Sequence, residues 1–131
     1  DGGRAVHAIK PQTFMNRSGR SLQKALGRLG VPPTESMTVL DDVNLDFGQI
    51  RVRAKGSPGG HNGLKDIERA LGGNEYSRLR IGVGKVPEGG DLVSHVLGPF
   101  AKEEMEAMPE LLDRAVQVLE LWSGGGEWAK V

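Results

Sequence analysis

The spacing of hydrophobic residues predicts a helix early in the chain. Leu22, Leu26 and Leu29 follow one another at intervals of four and three residues, so they share one face of a helix that begins near Ser18. Gly30 ends this helix, and two prolines follow it. A second helix is predicted over 64–71, closed by a Gly-Gly pair.

The C-terminal third of the chain has the same helical spacing. Residues 102–108 form one predicted helix, and Pro109 separates it from a second helix over 109–122. Leu112, Val116 and Leu119 fall on one side of that second helix, which predicts that they face the core. Residues 123–131 contain three consecutive glycines and are expected to form a loose tail.

Alternation of apolar and polar residues predicts strands between these helices. Residues 4–10 read as a short strand, 36–40 as a buried strand, and 49–55 and 78–83 as strands with one apolar and one basic face. A loop is predicted over 86–90. Strands that alternate with helices predict an α/β domain with a mixed, mostly parallel sheet packed between helices.

Composition narrows the class of protein. The 131 residues suffice for a single domain over 1–131, and 17 basic residues balance 17 acidic ones, so no overall charge points to a partner. Absence of cysteine is typical of a cytoplasmic protein. Three histidines without cysteine or an HExxH pattern disfavour a zinc site, and no apolar run is long enough for a membrane span.

The segment from Gly56 to Gly63 is the first candidate for chemistry. Its glycines could let backbone N–H groups converge on an anion, or could simply satisfy the geometry of a tight connection. A phosphate-binding loop needs the order Gly-Lys-Ser or Gly-Lys-Thr, whereas residues 63–66 here are Gly-Leu-Lys-Asp. His61 and Asn62 within the segment offer an acid or base together with a donor and an acceptor, which favours a functional role.

Polar residues at strand ends are the other candidates. Asp41 and Asp42 follow a buried strand and could bind a metal, orient a histidine or stabilise a turn. Asn16 lies at a junction between a strand and a helix, where it could contact a substrate or cap the helix. The basic strand faces could bind phosphates or simply face solvent; they carry Arg51, Arg53, Lys55, Arg78 and Arg80.

Several motifs together resemble the bacterial-type peptidyl-tRNA hydrolases. They are Thr-Phe-Met-Asn-Arg-Ser-Gly at 13–19, Asp-Asp-Val-Asn-Leu-Asp-Phe-Gly at 41–48, Gly-Gly-His-Asn-Gly-Leu at 59–64, Arg-Leu-Arg-Ile-Gly-Val-Gly at 78–84 and Val-Leu-Gly-Pro-Phe at 96–100. They occur in the family's order and with similar spacing from residue 4 to about 121. The first and third motifs are highly specific as a pair.

The resemblance implies hydrolysis of the ester that joins a peptide to the 3′ end of tRNA, with no cofactor and no metal. Asp41 would orient the base histidine, and such base catalysis contributes about 10²- to 10⁴-fold in rate. Asn16 and Asn62 would bind the substrate carbonyl and the attacking water. Phe14 would stack on the terminal nucleotide, and His61 would contact water or the substrate.

The resemblance also implies how tRNA is held. Arg53 and Arg80 match a basic pair that grips the 5′ phosphate, and arginine can bind a phosphate through two hydrogen bonds. The implied partner is the acceptor end of peptidyl-tRNA. The implied enzyme is a monomeric cytoplasmic hydrolase that acts in translation without a membrane.

The chain departs from the family pattern at its front, and two other functions stay open. The family's first strand and the segment with its base histidine do not match anything here, so we expect an N-terminally incomplete copy with little hydrolysis alone. One alternative is a noncatalytic RNA-binding relative. Another is a metal-dependent peptidase of similar architecture that uses Asp41, Asp42 and His61.

Overall fold

The computed structural model of the protein describes residues 6–10, 17–55 and 61–124. Helices and strands alternate along these ranges, as the sequence predicts. In chain order the elements are α1 (Ser18–Leu29), a 3-10 turn (Pro33–Glu35), β1 (Met37–Asp42), β2 (Ile50–Arg53), α2 (Asn62–Leu71), β3 (Ser77–Gly82), α3 (Leu92–Leu97) and α4 (Lys102–Ser123).

The three described strands form one mixed sheet in the order β1-β3-β2. β1 and β3 run parallel, because the bond from Ser77 N–H to Ser36 O and that from Val83 N–H to Asp42 O keep the same offset. β2 runs antiparallel to β3, since Gly82 exchanges backbone bonds with residues just before β2. The prediction of a mixed sheet is confirmed, but only one of the two described strand pairs is parallel.

The chain divides into two compact units. The helix-pair unit contains α1 and α2 and comprises Ala5–Thr38 and Arg53–Arg78. The long-helix unit contains α3 and α4 and comprises Asp1–Arg4, Val39–Val52 and Leu79–Val131. The core of the helix-pair unit includes Leu26, Leu64, Ile67 and Tyr76, and that of the long-helix unit includes Leu40, Leu45, Val52, Leu79, Leu111, Ala115 and Val118. The single domain over 1–131 stays a prediction.

Helix α4 corrects two predictions. Residues 102–123 form one helix with Pro109 inside it, not two helices. The buried side chains are Leu111, Ala115 and Val118, whereas Leu112 and Val116 are each 50% exposed. Pro109 is itself exposed, so its missing N–H and its ring perturb only the solvent side of the helix. The buried side of the helix therefore packs without interruption beyond Pro109.

The N-terminal strand over 4–10 was a wrong prediction for the residues described. Residues 6–10 have no regular secondary structure, and Val6 and Ile9 are about half exposed. A strand needs a neighbouring strand for its backbone groups, and weak alternation over a few residues does not supply one. The loop over 86–90 is confirmed, and the predicted tail lies largely outside the described residues.

The basic face of β3 is buried, which corrects the expectation of a polar surface there. Arg78 is 1% exposed, and its guanidinium lies 4.1 Å from the centre of the Tyr76 ring. It donates a hydrogen bond of 2.6 Å to Asn74 O and lies 3.6 Å from a Glu68 carboxylate oxygen. These contacts replace the water that Arg78 loses on burial, so this side chain is part of the core of the helix-pair unit.

Candidate functional site

The end of β1 is held by the carboxylate of Asp42. One oxygen lies 3.2 Å from Nη1 of Arg80, and the other accepts the Asn44 N–H at 2.8 Å. Both side chains are nearly buried, Asp42 at 8% and Arg80 at 11% exposure. Partners on both carboxylate oxygens offset the loss of water around a buried charge. Asp42 therefore stabilises the turn that follows β1.

Asp41 differs from Asp42 because successive side chains of a strand point to opposite faces. Its side chain is only half-buried, and it also takes part in an interaction within the structure. The two neighbouring carboxylates thus lie on opposite faces of β1 and differ in burial. Asp42 fixes the backbone at the end of β1, and Asp41 presents a carboxylate from that fixed position.

The turn after Asp42 is tied to the end of β3. Gly84 N–H donates to Leu45 O at 3.1 Å, and Gly82 N–H donates to Gln49 O at 2.8 Å. At Gly82 an added Cβ would lie 2.9 Å from Cβ of Leu45 and would clash with the Asp46 carbonyl. Only a residue without a side chain allows this close approach. The approach fixes the position of the turn that follows Asp41 and Asp42.

The His-Asn motif lies at the beginning of α2. His61 is the residue before the helix, and its Nδ1 accepts the N–H of Leu64 at 3.2 Å. This bond satisfies one of the free N–H groups at the helix start, a role more often filled by Ser or Asp. Asn62 is the first residue of α2. The glycine-rich residues 56–60 lie outside the described residues.

Each histidine of the chain has a distinct place. In the neutral ring of His61, Nδ1 is the acceptor and Nε2 carries the proton, so the lone pair of Nδ1 is occupied. His95, in α3, donates from Nε2 to Gly84 O at 2.7 Å. His7 is exposed in the segment without regular structure. The arrangement of His61 makes it a structural cap and a poor general base.

The end of the first sequence motif contacts α2. Gly19 N–H, in the first turn of α1, donates to the Asp66 carboxylate at 2.7 Å. Asp66 is 7% exposed and also pairs with Arg69. Arg17, which precedes α1, provides no side-chain cap, so α1 takes its cap from α2. The bond therefore fixes the last residue of the first motif against the helix that begins within the third motif.

The remaining predicted site residues are distributed as follows. Arg53 is exposed at the last position of β2, as expected for a residue that binds a phosphate. Arg80 is nearly buried against Asp42, which contradicts its predicted position on an open polar face. Phe14 and Asn16 lie outside the described residues. The sequence reasoning did not find the ion pair of Arg80, because alternation assigns a side chain to a face but not what covers that face.

A pocket of about 360 Å³ lies in the long-helix unit. Val83, His95, Gly98, Pro99, Phe100 and Glu104 are among its lining residues. The ring of Phe100 packs edge-on against that of Phe47, with centroids 5.8 Å apart. Helix α3, which carries His95, was not predicted from sequence. The signal was present, because Asp91 caps this helix by accepting the Ser94 N–H at 3.0 Å.

In the described residues, no group of three or more His, Asp or Glu side chains is arranged to hold a metal ion. None of the helices in the described ranges has the length and apolarity to cross a bilayer.

Comparison with known proteins decides the family. The sequence profile of peptidyl-tRNA hydrolase matches residues 2–130. The chain belongs to this family. Peptidyl-tRNA hydrolases are hydrolases of translation that act on peptidyl-tRNA, and the recognition made from the sequence motifs is confirmed.

Similarity to individual peptidyl-tRNA hydrolases supports this assignment. The enzyme of Desulfitobacterium hafniense is 41% identical over 95% of this chain and 68% of its own length. That of Caldanaerobacter subterraneus subsp. tengcongensis is 45% identical over 97% of this chain and 69% of its own length. The crystal structure of the Acinetobacter baumannii enzyme superimposes with a TM-score of 0.79 at 34% identity, covering 88% of this chain and 58% of that one.

These matches define what is common to the peptidyl-tRNA hydrolases and this chain. The α/β fold predicted from the sequence is confirmed by the superposition. The chain spans about two thirds of the length of the curated relatives and 58% of the solved chain.

Proposed function

We propose that the protein hydrolyses the ester bond between a peptide, or an N-blocked amino acid, and the 3′ end of tRNA. Membership of the peptidyl-tRNA hydrolase family supports the reaction class. The observation that carries the proposal is the division of roles at the end of β1. Asp42 is engaged by Arg80 and Asn44, and the half-buried Asp41 extends from the strand that they fix.

In this mechanism Asp41 acts on a histidine base. Its carboxylate accepts the N–H of an imidazole, which fixes the ring's tautomer and stabilises the charge that develops when the ring takes a proton from water. Water then attacks the ester carbonyl, the bond to the 3′ oxygen of tRNA breaks, and the imidazole returns its proton to that oxygen. Asn16 and Asn62 orient the carbonyl and the water, Phe14 stacks on the terminal nucleotide, and His61, at the start of α2, contacts water or the substrate. The partner is the acceptor end of peptidyl-tRNA, and a monomeric cytoplasmic enzyme without cofactor is part of the proposal.

The test of Asp41 compares it with a second aspartate of the same turn. Asp41→Asn is expected to lower single-turnover release of N-acetylated amino acid from tRNA by about 100-fold, because the amide cannot fix and stabilise the imidazole. Asp46→Asn makes the same chemical change at an exposed position and serves as the control. The assay is run with chelator, and with the protein both as this chain and joined to the N-terminal part of the Desulfitobacterium hafniense enzyme.

The outcomes of this assay separate the three functions. Hydrolysis that persists in chelator and depends on Asp41 but not on Asp46 supports the hydrolase. Hydrolysis that stops in chelator would favour a metal-dependent enzyme instead. Binding of tRNA without turnover by either form of the protein would favour a noncatalytic RNA-binding relative. Equal losses from Asp41→Asn and Asp46→Asn would refute the role of Asp41.

We propose that Arg53 binds the 5′ phosphate of tRNA; the same role for Arg80, which is nearly buried against Asp42, stays a prediction from the sequence. The exposure of Arg53 supports this role. Because each phosphate contact contributes a salt slope of about 0.9, Arg53→Ala is expected to reduce the slope by about one and the affinity by about fivefold at physiological salt. Affinity is measured with tRNA that carries or lacks the 5′ phosphate, and Lys102→Ala is the control. Equal affinity of the unaltered protein for the two tRNAs would contradict the assignment.

A further inference from the structure

The outer side of α1 carries a row of cations. Arg17 immediately precedes the helix, and Arg20, Lys24 and Arg28 follow within it at intervals of three, four and four residues. At about 100° per residue these four positions fall within about 80° of one another around the axis and span about 16 Å along it. All four side chains are exposed. We call this row the α1 basic stripe.

No carboxylate neutralises the α1 basic stripe in the described part of the chain. Helix α1 contains no acidic residue, and none of the four cations forms an ion pair with any residue that the structure describes. Exposed cations on helices are commonly paired with acids three or four residues away. The stripe therefore presents four uncompensated positive charges.

The rest of the helix-pair unit adds to this positive charge. Its sequence ranges contain ten Lys and Arg against four Asp and Glu, a formal charge of +6. The ranges of the long-helix unit contain seven Lys and Arg against thirteen Asp and Glu, which gives a formal charge of −6. The zero net charge of the chain thus conceals a segregation of charge, and the stripe lies in the positive unit.

The positions of Arg17 and Arg20 are unfavourable for the helix itself. The N-terminal end of a helix carries partial positive charge, so cations there are destabilising and acids are favoured. Here the first turn has no acid and two cations at or next to it. The stability of the helix therefore does not explain why these two positions are cationic. Binding of an anionic partner explains it.

We propose that the α1 basic stripe binds the phosphate backbone of the tRNA substrate, away from its 5′ phosphate. The inference rests on the proposed function and extends it to the body of the tRNA. A row about 16 Å long can contact several successive phosphates of one strand. The residues beside the stripe on α1 include Ser21, Gln23 and Gly27, so this surface suits a polar polyanion better than a membrane.

The experiment measures binding of deacylated tRNA by fluorescence anisotropy over a range of salt concentrations. The test variant is Arg20→Gln/Lys24→Gln, and the control is Lys85→Gln/Lys102→Gln, which removes two exposed lysines of the long-helix unit. Both pairs change the net charge equally. Loss of two phosphate contacts is expected to weaken binding about 30-fold at physiological salt and to reduce the salt slope by about two, while the control changes neither. The melting temperature of the test variant is expected to stay the same or rise slightly, since a cation leaves the first turn of α1.

Two results would overturn the inference. The first is an equal effect of the two variants on tRNA binding, or no effect of either. The second is unchanged tRNA binding with loss of binding to vesicles of equal parts phosphatidylcholine and phosphatidylserine, which would assign the stripe to a membrane. Hydrolysis is assayed separately. Stripe-dependent binding without hydrolysis, both by this chain and by the form joined to the N-terminal part of the Desulfitobacterium hafniense enzyme, would refute the proposed function and support the stripe.

Discussion

Arg80→Ala is expected to lower the free energy of unfolding by about 3–5 kcal/mol, measured by urea denaturation. The guanidinium lies 3.2 Å from a carboxylate oxygen of Asp42, and both side chains are nearly buried. Alanine leaves the Asp42 carboxylate without its countercharge in a place that water scarcely reaches. The large effect comes from this uncompensated charge and not from the strength of the ion pair.

Two further variants distinguish this explanation from a simple loss of contacts. Arg51→Ala makes the same substitution on an exposed arginine of β2 and is expected to change stability by less than about 0.5 kcal/mol. Arg80→Leu combined with Asp42→Asn removes both charges and should recover much of the loss, because no buried charge remains. Equal destabilisation by Arg80→Ala and by the double variant would contradict the role given to the ion pair.

Gly19→Ala is expected to destabilise the protein by about 3 kcal/mol. A Cβ at this position would lie 2.9 Å from Cβ of Ala70 and would clash with the backbone carbonyl of Asp66. The obstructing atoms belong to the backbone of α2, which cannot give way as the end of a flexible side chain could. Separation of the helices would also weaken the bond from Gly19 N–H to the Asp66 carboxylate.

Gly27 provides the matched control in the same helix. No atom lies within 4 Å of a Cβ added there, so Gly27→Ala is expected to stabilise the protein by about 0.5–1 kcal/mol through the helix propensity of alanine. Both variants are measured by urea denaturation. Similar changes in stability from the two substitutions would mean that the close approach of α1 and α2 does not limit residue 19.

Local sequence rules predicted the elements whose signals are local. Helix α1 was found because Leu22, Leu26 and Leu29 share a face and Gly30 adopts the left-handed backbone that ends it, with a φ of 67°. Strand β2 was found from its alternation, and Val52 is fully buried while Arg51 and Arg53 are exposed. These signals depend on neighbours in the chain and on no distant contact.

Predictions failed where tertiary contacts decide the outcome. Two apolar rows run side by side along α4, one with Leu111 and Ala115 and one with Leu112 and Val116. The helical periodicity fits both rows equally well. Only packing against the rest of the protein determines that the row with Leu111 and Ala115 is buried. The burial of Arg78 also depends on tertiary contacts. The alternation of β3 predicts that Arg78 faces solvent, but Tyr76 and Glu68 cover it in the folded protein.

The sequence predicted those residues of the candidate site that lie in specific motifs. The residues alone left the roles of Asp41 and Asp42 open, and the resemblance to the family assigned the catalytic role to Asp41. The bonds of Asp42 to Arg80 and Asn44 give Asp42 a structural role. Local reasoning could not find the bond to Arg80, because this partner lies 38 residues away. The sequence identified His61 as a possible acid, base or hydrogen-bonding residue. It did not predict the bond from the Leu64 N–H to His61, because this bond depends on the conformation of the chain before α2.

The cap that α1 takes from Asp66 links the folding of the two helices. The N–H of Gly19 has its partner 47 residues later in the chain, so the first turn of α1 is complete only once α2 is in place. A twelve-residue helix is marginal alone in water, and the residue before α1 provides no side-chain cap at its N-terminal end to offset this. The two helices therefore form and open as one cooperative unit, and amide hydrogens at the start of α1 exchange with solvent when α2 opens.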